Sequence, residues 1–259
     1  MQADYNAQKS TKRYPRVPLS TKKALKITKK TCIIEKNGKG VAMVYISVKK
    51  ISPEENEQRA KAWSILRYDN NKEFIDALLS RKNAESRRNS IEAYSLLDEM
   101  LFSLTGIKKA VLRRGENGKP YMENENISFN VTHTDGAVAC ILDTDGRDVG
   151  IDAEAIGRDG QRIIERFFDE KAKDKYDRSD DKALAFAQIW TKKEAYAKFT
   201  GKGLSDYSTN YPSTCKFTAI RDGNLLVTAC TFSDSHVQIW QNDEDGSKAH
   251  FCLDGDVNL

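Results

Sequence analysis

The amino-acid sequence predicts an α+β protein built from two similar halves, each with a small antiparallel sheet packed by helices. Three observations support this fold class. The chain has 259 residues, enough to bury one large core or two smaller ones. Its periodic segments follow the order strand, helices, strands, and this order then recurs. Asp-Gly turns join neighbouring apolar runs, which is typical of antiparallel pairing.

The predicted organisation has three segments. Residues 1–35 form a basic leader without sustained periodicity, residues 36–134 an N-terminal α+β half, and residues 135–259 a C-terminal α+β half. The join lies near His133 to Gly136. No internal sequence repeat demonstrates a duplication, so the similarity of the two halves rests on the order of their elements alone.

In the first half, the predicted elements begin with a strand over Gly40–Val48, bounded by glycine and a Lys-Lys pair. Ser52-Pro-Glu-Glu55 supplies an N-cap, a proline at the first helical position and a capping-box glutamate. These signals predict a helix that ends near Arg67. Apolar residues at 74, 75, 78 and 79 then predict a second, short helix.

A long helix is predicted from about Glu85 to Gly106, because its apolar residues keep helical spacing and the glycine suits the position after the last turn. The approach to this helix is basic: Arg81, Lys82, Arg87 and Arg88. Such a cluster fits a phosphate clamp or a solvated face. Two short strands follow, over Ala110–Arg113 and Ile127–Val131.

The second half is predicted to open with a hairpin, in which Ala137–Asp143 and Val149–Glu154 flank an Asp-Gly turn. Two helices follow, over Arg162–Phe168 and from about Ser179 to Gly201. The remaining apolar runs predict an antiparallel meander of four strands: Lys216–Arg221, Leu225–Phe232, Val237–Trp240 and Ala249–Leu253.

Acidic and basic residues recur at spacings that place them on common faces. Asp152 and Glu154 are two apart in a predicted strand, so both carboxylates point the same way. Trp190, Glu194 and Lys198 are each four apart in a predicted helix and form one stripe. If the strand and helix pack together, three carboxylates and a lysine converge. Such a group suits a hard divalent cation that shares its oxygen ligands with phosphates.

Each half of this pattern has a plainer interpretation. Paired acids on a strand also mark the solvated face of an edge strand, and a Glu–Lys pair at helical spacing is also a surface ion pair. Gly118-Lys119 is not a P-loop, because the glycines are too close together and Pro120 stands where Ser or Thr should bind the metal.

The charge of +4 is unevenly distributed. Residues 1–50 hold 13 of the 42 Lys and Arg but 2 of the 38 Asp and Glu, so the rest of the chain is net acidic. The lysine-rich leader fits a solvated tail, a surface that steers acidic partners, or a nucleic-acid-binding module. The acidic body argues against nucleic acid as the partner.

Five scattered cysteines without a C-x-x-C pair argue against a disulfide framework or a zinc site. No apolar run has the length of a signal-peptide core or a membrane span. We therefore expect a soluble cytoplasmic protein without a membrane partner.

Five blocks in order give the chain a resemblance to the 4′-phosphopantetheinyl transferases, specifically the long, surfactin-synthetase-activating type. That family's pattern is G-K-P, F-N-x-S-H-S, (V/I)-G-(I/V)-D-x-E, F-F, and W-x-x-K-E-(A/S)-x-x-K-x-x-G-x-G. The matching residues are Gly118-Lys119-Pro120, Phe129 to Thr134, Val149 to Glu154, Phe167-Phe168, and Trp190 through Gly203.

The resemblance implies a pseudo-twofold fold in a monomer, with coenzyme A bound in the cleft between the halves. The implied reaction moves the phosphopantetheine arm of coenzyme A to a serine of an acyl or peptidyl carrier protein and releases adenosine 3′,5′-bisphosphate. The carrier and the pathway (fatty-acid, polyketide, nonribosomal-peptide or lysine biosynthesis) stay open. A metal-dependent phosphohydrolase or nuclease is the alternative enzyme that the same acids would serve.

The resemblance also implies roles for individual residues. Mg²⁺, or Mn²⁺, would be held by Asp152, Glu154 and Glu194. Lys198 would meet the leaving phosphate, and either Glu194 or a water would accept the serine proton. Coenzyme A would be contacted by Lys119, Thr132, His133, Lys193 and Lys198, with Arg88 the candidate in the basic first-half cluster, where Arg81, Lys82, Arg87 and Ser95 are alternatives.

Two departures from the family pattern bear on these roles. Thr132 and Thr134 replace serines, which keeps the hydroxyl groups. Ala172 stands where the family commonly has a glutamate after the Phe-Phe pair, and Glu170 is the nearby acid that could substitute. The first departure preserves the implied chemistry, whereas the second favours Glu194 as the base.

Overall fold

The computed structural model describes residues 43–51, 53–204, 207–242 and 248–252, which form a mixed α+β fold, as predicted. The leader over residues 1–35, the start of the first predicted strand and the predicted cap Ser52 lie outside the described residues. The elements in chain order are β1 (Met43–Lys50), α1 (Pro53–Leu79), α2 (Ala84–Thr105), β2 (Leu112–Arg114), β3 (Pro120–Met122), β4 (Ser128–Thr134), β5 (Ala137–Asp143), β6 (Gly150–Ala155), α3 (Gln161–Phe167), α4 (Glu170–Asp177), α5 (Lys182–Thr200), β7 (Cys215–Asp222), β8 (Leu225–Phe232), β9 (His236–Asn242) and β10 (Lys248–Cys252).

The strands form two main sheets and a two-stranded ribbon. The larger sheet has the order β10-β9-β1-β5-β4, in which β1 and β9 are parallel and the other pairs antiparallel. The smaller sheet has the order β6-β8-β7 and is antiparallel throughout. Strands β2 and β3 pair only with each other among the described residues.

Helices α1 and α2 cover one face of the larger sheet. Their apolar side chains, including Ile75, Leu97 and Met100, pack against Phe129 and Leu142 of the sheet in one buried cluster. Burial of this face follows from the helical spacing of the apolar residues in α2. Asn83 caps the start of α2 through its side chain, and a left-handed Gly106 ends it, so the predicted long helix is confirmed.

The two helices predicted before α2 are joined in the structure. Asn71 has a non-helical backbone (φ −133°, ψ 29°) inside α1 and marks a kink. Its side chain accepts a hydrogen bond from Leu112 N at 2.6 Å and donates to Ala110 O at 3.2 Å. The prediction of a helix end near Arg67 was therefore wrong. The buried Asn71 amide forms hydrogen bonds at the kink, so the chain continues as a bent helix.

The predicted hairpin between β5 and β6 was wrong. Strand β5 lies between β1 and β4, so both of its edges are already paired and none is left for β6. The Asp143 carboxylate accepts hydrogen bonds from Asp145 N at 2.8 Å and Arg147 N at 3.3 Å, which turns the chain out of the sheet. The β5 hairpin is formed instead with β4.

The four-stranded meander was wrong at its middle, because the first pair β7–β8 and the last pair β9–β10 form antiparallel but β8 and β9 do not pair. Strands β7 and β8 form the predicted hairpin, but β8 lies between β6 and β7 and has no free edge. The chain therefore crosses to the larger sheet, where β9 pairs in parallel with β1. The boundary predicted after residue 134 falls at the turn of the β4–β5 hairpin, and the larger sheet draws strands from both sides of it.

The helical region of the second half contains one helix that the sequence analysis missed. Asp169 caps α4 by accepting from Ala172 N at 3.0 Å, and only Ala172 and Tyr176 of this charged segment are buried. The predicted helices α3 and α5 are present, and α5 ends at a left-handed Gly201. Across the described ranges, no helix is long and apolar enough to cross a membrane.

The two main sheets pack face to face and bring β4 beside β6. Val44, Ile46 and Ile141 of the larger sheet share a buried cluster with Ile151 and Val227 of the smaller one. The buried Asn130 side chain then joins the sheets directly, because its Oδ1 accepts from Ile151 N at 3.1 Å. This contact aligns the C-terminal part of β4 with β6, where the predicted site residues lie.

Helix α5 lies directly on β6 at Gly150. A Cβ atom at this glycine would be 2.1 Å from Ala195 O and 2.4 Å from Phe199 N. Both are backbone atoms of the helix, so neither can move without moving α5. A glycine is therefore required here by the distance between helix and strand, and not by its backbone angles.

We expect Gly150→Ala to lower the free energy of unfolding by about 1–3 kcal/mol, because overpacking displaces α5 from β6. Urea unfolding of the purified protein measures this change. Gly157→Ala is the matched control, since a Cβ there has no atom within 4 Å. Equal stability of the two variants would contradict the close contact at Gly150.

Candidate active site

A polar cleft of about 370 Å³ opens where β4, β6, α2 and α5 meet. It is lined by Asp152 and Glu154, the two acids predicted to share one face of a strand. It is also lined by Trp190, Glu194 and Lys198, which were predicted to share one face of a helix. The cleft is completed by Arg81, Ser90, Ala93, Tyr94, Val131, Thr132, His133, Thr134 and Ala153. The structure thus brings together the acids and the lysine whose spacing suggested convergence.

Asp152 is a buried acid of this cleft. Its side chain lies on β6, and Oδ1 accepts hydrogen bonds from Lys198 Nζ at 2.7 Å and from Thr132 Oγ1 at 3.2 Å. Lys198 Nζ also donates to Ile151 O at 3.1 Å and to Thr132 Oγ1 at 3.2 Å. The last turn of α5 is therefore tied to both β6 and β4 by one ammonium group.

The three carboxyl groups of the cleft have raised pKa values, and desolvation is the main cause for each. Repulsion from Asp152 also raises the pKa of Glu154 and of Glu194. Lys198 opposes the shift at Asp152 and Glu194, whereas Arg158 opposes it at Glu154. A cation bound among these groups would relieve both the repulsion and the desolvation.

The donor chemistry of the cleft fits Mg²⁺, because all three acids offer the oxygen ligands that this ion prefers. Their present arrangement is not a closed metal site. Within the described part of the chain, no group of three or more His, Cys, Asp or Glu side chains is arranged to hold a metal ion. One oxygen of Asp152 is instead occupied by the Lys198 ammonium.

The opposite side of the cleft is basic. His133 Nε2 lies 3.1 Å from Ser90 Oγ, and the Arg81 guanidinium donates to the same oxygen. Ser90 Oγ donates to Ser86 O at 2.7 Å, so the single hydroxyl proton is used and His133 Nε2 is the donor in its contact. Burial lowers the pKa of His133, and Arg81 and Lys198 lower it further.

A second cleft of about 290 Å³ continues from the first, since both are lined by Arg81, Tyr94, Val131, Glu194 and Lys198. Its outer wall contains the Gly118-Lys119-Pro120 turn, Arg114, and the glycines that follow α5. Lys119 Nζ donates to Asp148 Oδ1 at 2.8 Å and to Phe199 O at 3.0 Å. Carboxylates thus gather at one end of a continuous cleft and cationic side chains at the other.

Two residues predicted to contact a cofactor do not line either cleft. Lys193 is buried, and its ammonium donates to Ser208 O at 2.9 Å. It directly precedes Glu194, so about 100° of helical rotation separates the two side chains and the lysine faces away from the cleft. Arg88 is half-buried on α2, but the basic side chain that reaches the cleft from this region is Arg81.

The sequence analysis missed several lining residues. Ser90 and Tyr94 lie four apart on α2 and so face the same side, a spacing that could have identified them. Tyr94 is also one of the apolar residues whose spacing predicts that helix. Arg114 lines the outer cleft, and its guanidinium lies 4.8 Å from the centre of the Phe74 ring. No periodic signal marks Arg114, because it is at the end of a three-residue strand.

Comparison with known proteins finds one family model that matches part of the chain. Residues 148–253 match the family model described as the 4′-phosphopantetheinyl transferase superfamily. The matched region begins just before β6 and contains Asp152, Glu154, Glu194 and Lys198. The matched range includes β6 and α5, the two elements that carry these four side chains.

Individual relatives give the same family. The chain is 30% identical over 156 residues to 4′-phosphopantetheinyl transferase gsp of Aneurinibacillus migulanus, covering 58% of this chain and 63% of the relative. It is 30% identical over 114 residues to L-aminoadipate-semialdehyde dehydrogenase-phosphopantetheinyl transferase of Saccharomyces cerevisiae, covering 39% and 42%. It is 35% identical over 97 residues to 4′-phosphopantetheinyl transferase Sfp of Bacillus subtilis, covering 35% and 41%.

These alignments span less than two thirds of each relative's own length. By the family match over residues 148–253 and by these relatives, the chain is similar to the 4′-phosphopantetheinyl transferase superfamily.

Proposed function

We propose that this protein transfers the 4′-phosphopantetheine arm of coenzyme A to a serine hydroxyl of an apo acyl or peptidyl carrier protein, and that adenosine 3′,5′-bisphosphate leaves. The observation that carries the proposal is the continuous cleft, with three carboxylates at one end and cationic side chains at the other. The names of the relatives support the same reaction for this chain.

The reaction places specific demands on the cleft. A serine oxygen forms a bond to the phosphorus that carries the pantetheine arm, and the bond from that phosphorus to the bridging oxygen breaks. Because the pyrophosphate is strongly anionic, catalysis depends on positioning and charge neutralisation. Lys198 lines both clefts and is suited to neutralise the charge that develops on the leaving phosphate.

Glu194 is our candidate for the base that accepts the serine proton. Its carboxylate lines both clefts, so it lies between the acidic and the basic ends. Its raised pKa, caused first by burial and then by Asp152, makes it a better proton acceptor than an exposed glutamate. Asp152, Glu154 and Glu194 would hold Mg²⁺ or Mn²⁺, which would supply further neutralisation of the pyrophosphate.

The basic end is assigned to the phosphates of coenzyme A. Arg81, Arg114 and His133 face the cleft, and Lys119 lines its outer part. Arginine suits this role, because its planar guanidinium forms paired hydrogen bonds to phosphate oxygens. Thr132 acts through Asp152, since its hydroxyl is hydrogen bonded to that carboxylate.

Incubation of an apo carrier protein with this protein, coenzyme A and Mg²⁺ tests the reaction. Intact mass spectrometry is expected to show a mass gain of one phosphopantetheine arm, ~340 Da from the chemistry of the transferred group. The gain should be absent in EDTA and in a carrier whose acceptor serine is alanine. Cleavage of coenzyme A without modification of any of several carriers would contradict transfer and favour a phosphohydrolase.

Glu194→Gln is expected to lower the rate of carrier modification by about 100-fold or more, the usual contribution of a general base. Glutamine keeps the shape of the side chain, so the unfolding midpoint should be preserved. Glu165→Gln is the control, since Glu165 is exposed and accepts from Gln161 at the surface. A rate close to wild type in Glu194→Gln would remove this residue from the mechanism.

Arg81→Gln is expected to weaken the binding of coenzyme A by about tenfold or more. Hydrogen bonds to charged groups contribute about 1.5–3 kcal/mol, and each 1.4 kcal/mol corresponds to about tenfold in Kd. Isothermal titration calorimetry without added metal measures the change. Arg88→Gln, which removes a neighbouring positive charge outside the cleft, should bind normally. Equal weakening in both variants would indicate a general charge effect instead of a contact.

A further inference from the structure

All three hydrogens of the Lys198 ammonium are engaged by the protein. They are donated to Asp152 Oδ1 at 2.7 Å, Ile151 O at 3.1 Å and Thr132 Oγ1 at 3.2 Å. An ammonium group has three donors, so none remains for a ligand in this arrangement. Lys198 thus serves as the internal counter-ion of a carboxylate that is almost entirely buried.

This arrangement conflicts with what the proposed reaction needs from the same two residues. Asp152 is needed as an oxygen ligand of a divalent cation, whereas its Oδ1 is bound to Lys198. Lys198 is needed at the leaving phosphate, whereas its donors face β6 and β4. The Lys198–Asp152 ion pair is therefore not the arrangement that the reaction needs, and one side-chain movement would satisfy both needs.

The position of Lys198 makes such a movement short. The residue is in the last turn of α5, and its side chain lines both the acidic cleft and the outer cleft that contains Lys119 and Arg114. Its flexible four-carbon stem has rotatable bonds. Rotation about these bonds carries the ammonium from one cleft toward the other without displacement of the helix, which the contact at Gly150 holds in place.

We propose that Lys198 is an exchangeable counter-ion that couples the binding of the divalent cation to that of coenzyme A. In one position, the one described above, it neutralises Asp152. When coenzyme A binds, the anionic phosphates draw Lys198 away and leave Asp152 available to the cation. This inference rests on the proposed function, because it assumes that the cleft binds both ligands.

The coupling has a physical cause in the charge of the site. Removing Lys198 from Asp152 without a replacement would leave a buried carboxylate uncompensated, which is strongly unfavourable. Each ligand therefore lowers the cost of binding the other: the phosphates compensate the departing lysine, and the cation compensates the remaining carboxylate. By thermodynamic linkage, the two ligands must increase each other's affinity by the same factor.

Lysine-selective ¹⁵N NMR of the wild-type protein tests the movement directly. A hydrogen-bonded ammonium exchanges its protons slowly, so Lys198 should give a signal that is absent from Lys198→Met. Addition of coenzyme A together with Mg²⁺ is expected to shift this signal, with a smaller change for Mg²⁺ alone. A signal that stays unchanged when both ligands are bound would overturn the proposal.

Affinity measurements test the coupling. We expect Lys198→Met to bind Mn²⁺ alone about 5-fold or more tightly than wild type, in the range of typical coupling factors, and to lose most of the enhancement by coenzyme A. Free Mn²⁺ is measured by electron paramagnetic resonance. Lys192→Met is the matched control: it removes one charge from the same helix, but the Lys192 ammonium lies over the Phe217 ring and does not line the cleft.

The outcomes separate this inference from the proposed function. Wild-type protein that modifies a carrier, while Lys198→Met binds Mn²⁺ no more tightly than wild type, would overturn the counter-ion exchange alone. Wild-type protein that binds no coenzyme A would contradict the proposed function. Equal gains in Mn²⁺ affinity for Lys198→Met and Lys192→Met would also overturn the exchange, because general charge removal would then explain them. If Lys198→Met does not fold, Lys198→Arg, which keeps the charge but lacks the ammonium, assigns the signal and the wild-type NMR titration decides.

Discussion

The direct contact of α5 with β6 is the constraint on which the site depends. Gly150 lets the backbone of the helix approach the strand to a distance at which no side chain fits between them. Helical spacing then turns Glu194 and Lys198 toward the strand, and strand alternation turns Asp152 toward the helix. Helix α5 and strand β6 thus present charged side chains to one cleft. The distance between helix and strand is fixed by their backbone contact at Gly150.

The second constraint is the alignment of the two sheets. Asn130 on β4 binds the backbone of β6, so Thr132 is placed against Asp152 and His133 lies one residue further along. The charge of the cleft follows from this alignment. Acids come from the smaller sheet and α5, whereas Ser90 comes from α2 and Arg81 from the turn between α1 and α2. A ligand with both anionic phosphates and a bound cation is complementary to such a divided surface.

Much of the local structure could be predicted, because local signals determine it. The capping residues and periodicity of α2 and α5 predict the ends of both helices to within a few residues. The common face of Trp190, Glu194 and Lys198 follows from their spacing alone. Strand pairing could not be predicted in the same way. The Asp-Gly turn after β5 indicates a change of direction, but whether β5 has a free edge depends on β1, which is distant in sequence.

Other failures have a similar physical origin. Helix α4 buries only two side chains, so its apolar pattern is too sparse to detect. Whether Arg81 or Arg88 reaches the cleft depends on the conformation of the turn between α1 and α2. A turn has no regular spacing of side chains from which this could be predicted. The Lys198–Asp152 ion pair joins residues 46 positions apart and depends on the packing of α5 on β6. The residue types of the site are thus readable from the sequence, whereas the bonds between them are not.

The parallel pairing of β9 with β1 also determines when the larger sheet is completed. Strand β1 begins at residue 43, and its neighbour β9 begins at residue 236, so nearly the whole described chain separates the two strands. During synthesis, one edge of β1 has no partner within the described chain until this late segment has left the ribosome. Such distant pairings slow folding and leave an unpaired strand edge exposed in the meantime. Strand β1 is therefore among the last described strands to acquire both of its neighbours, although it precedes the other described elements in the chain.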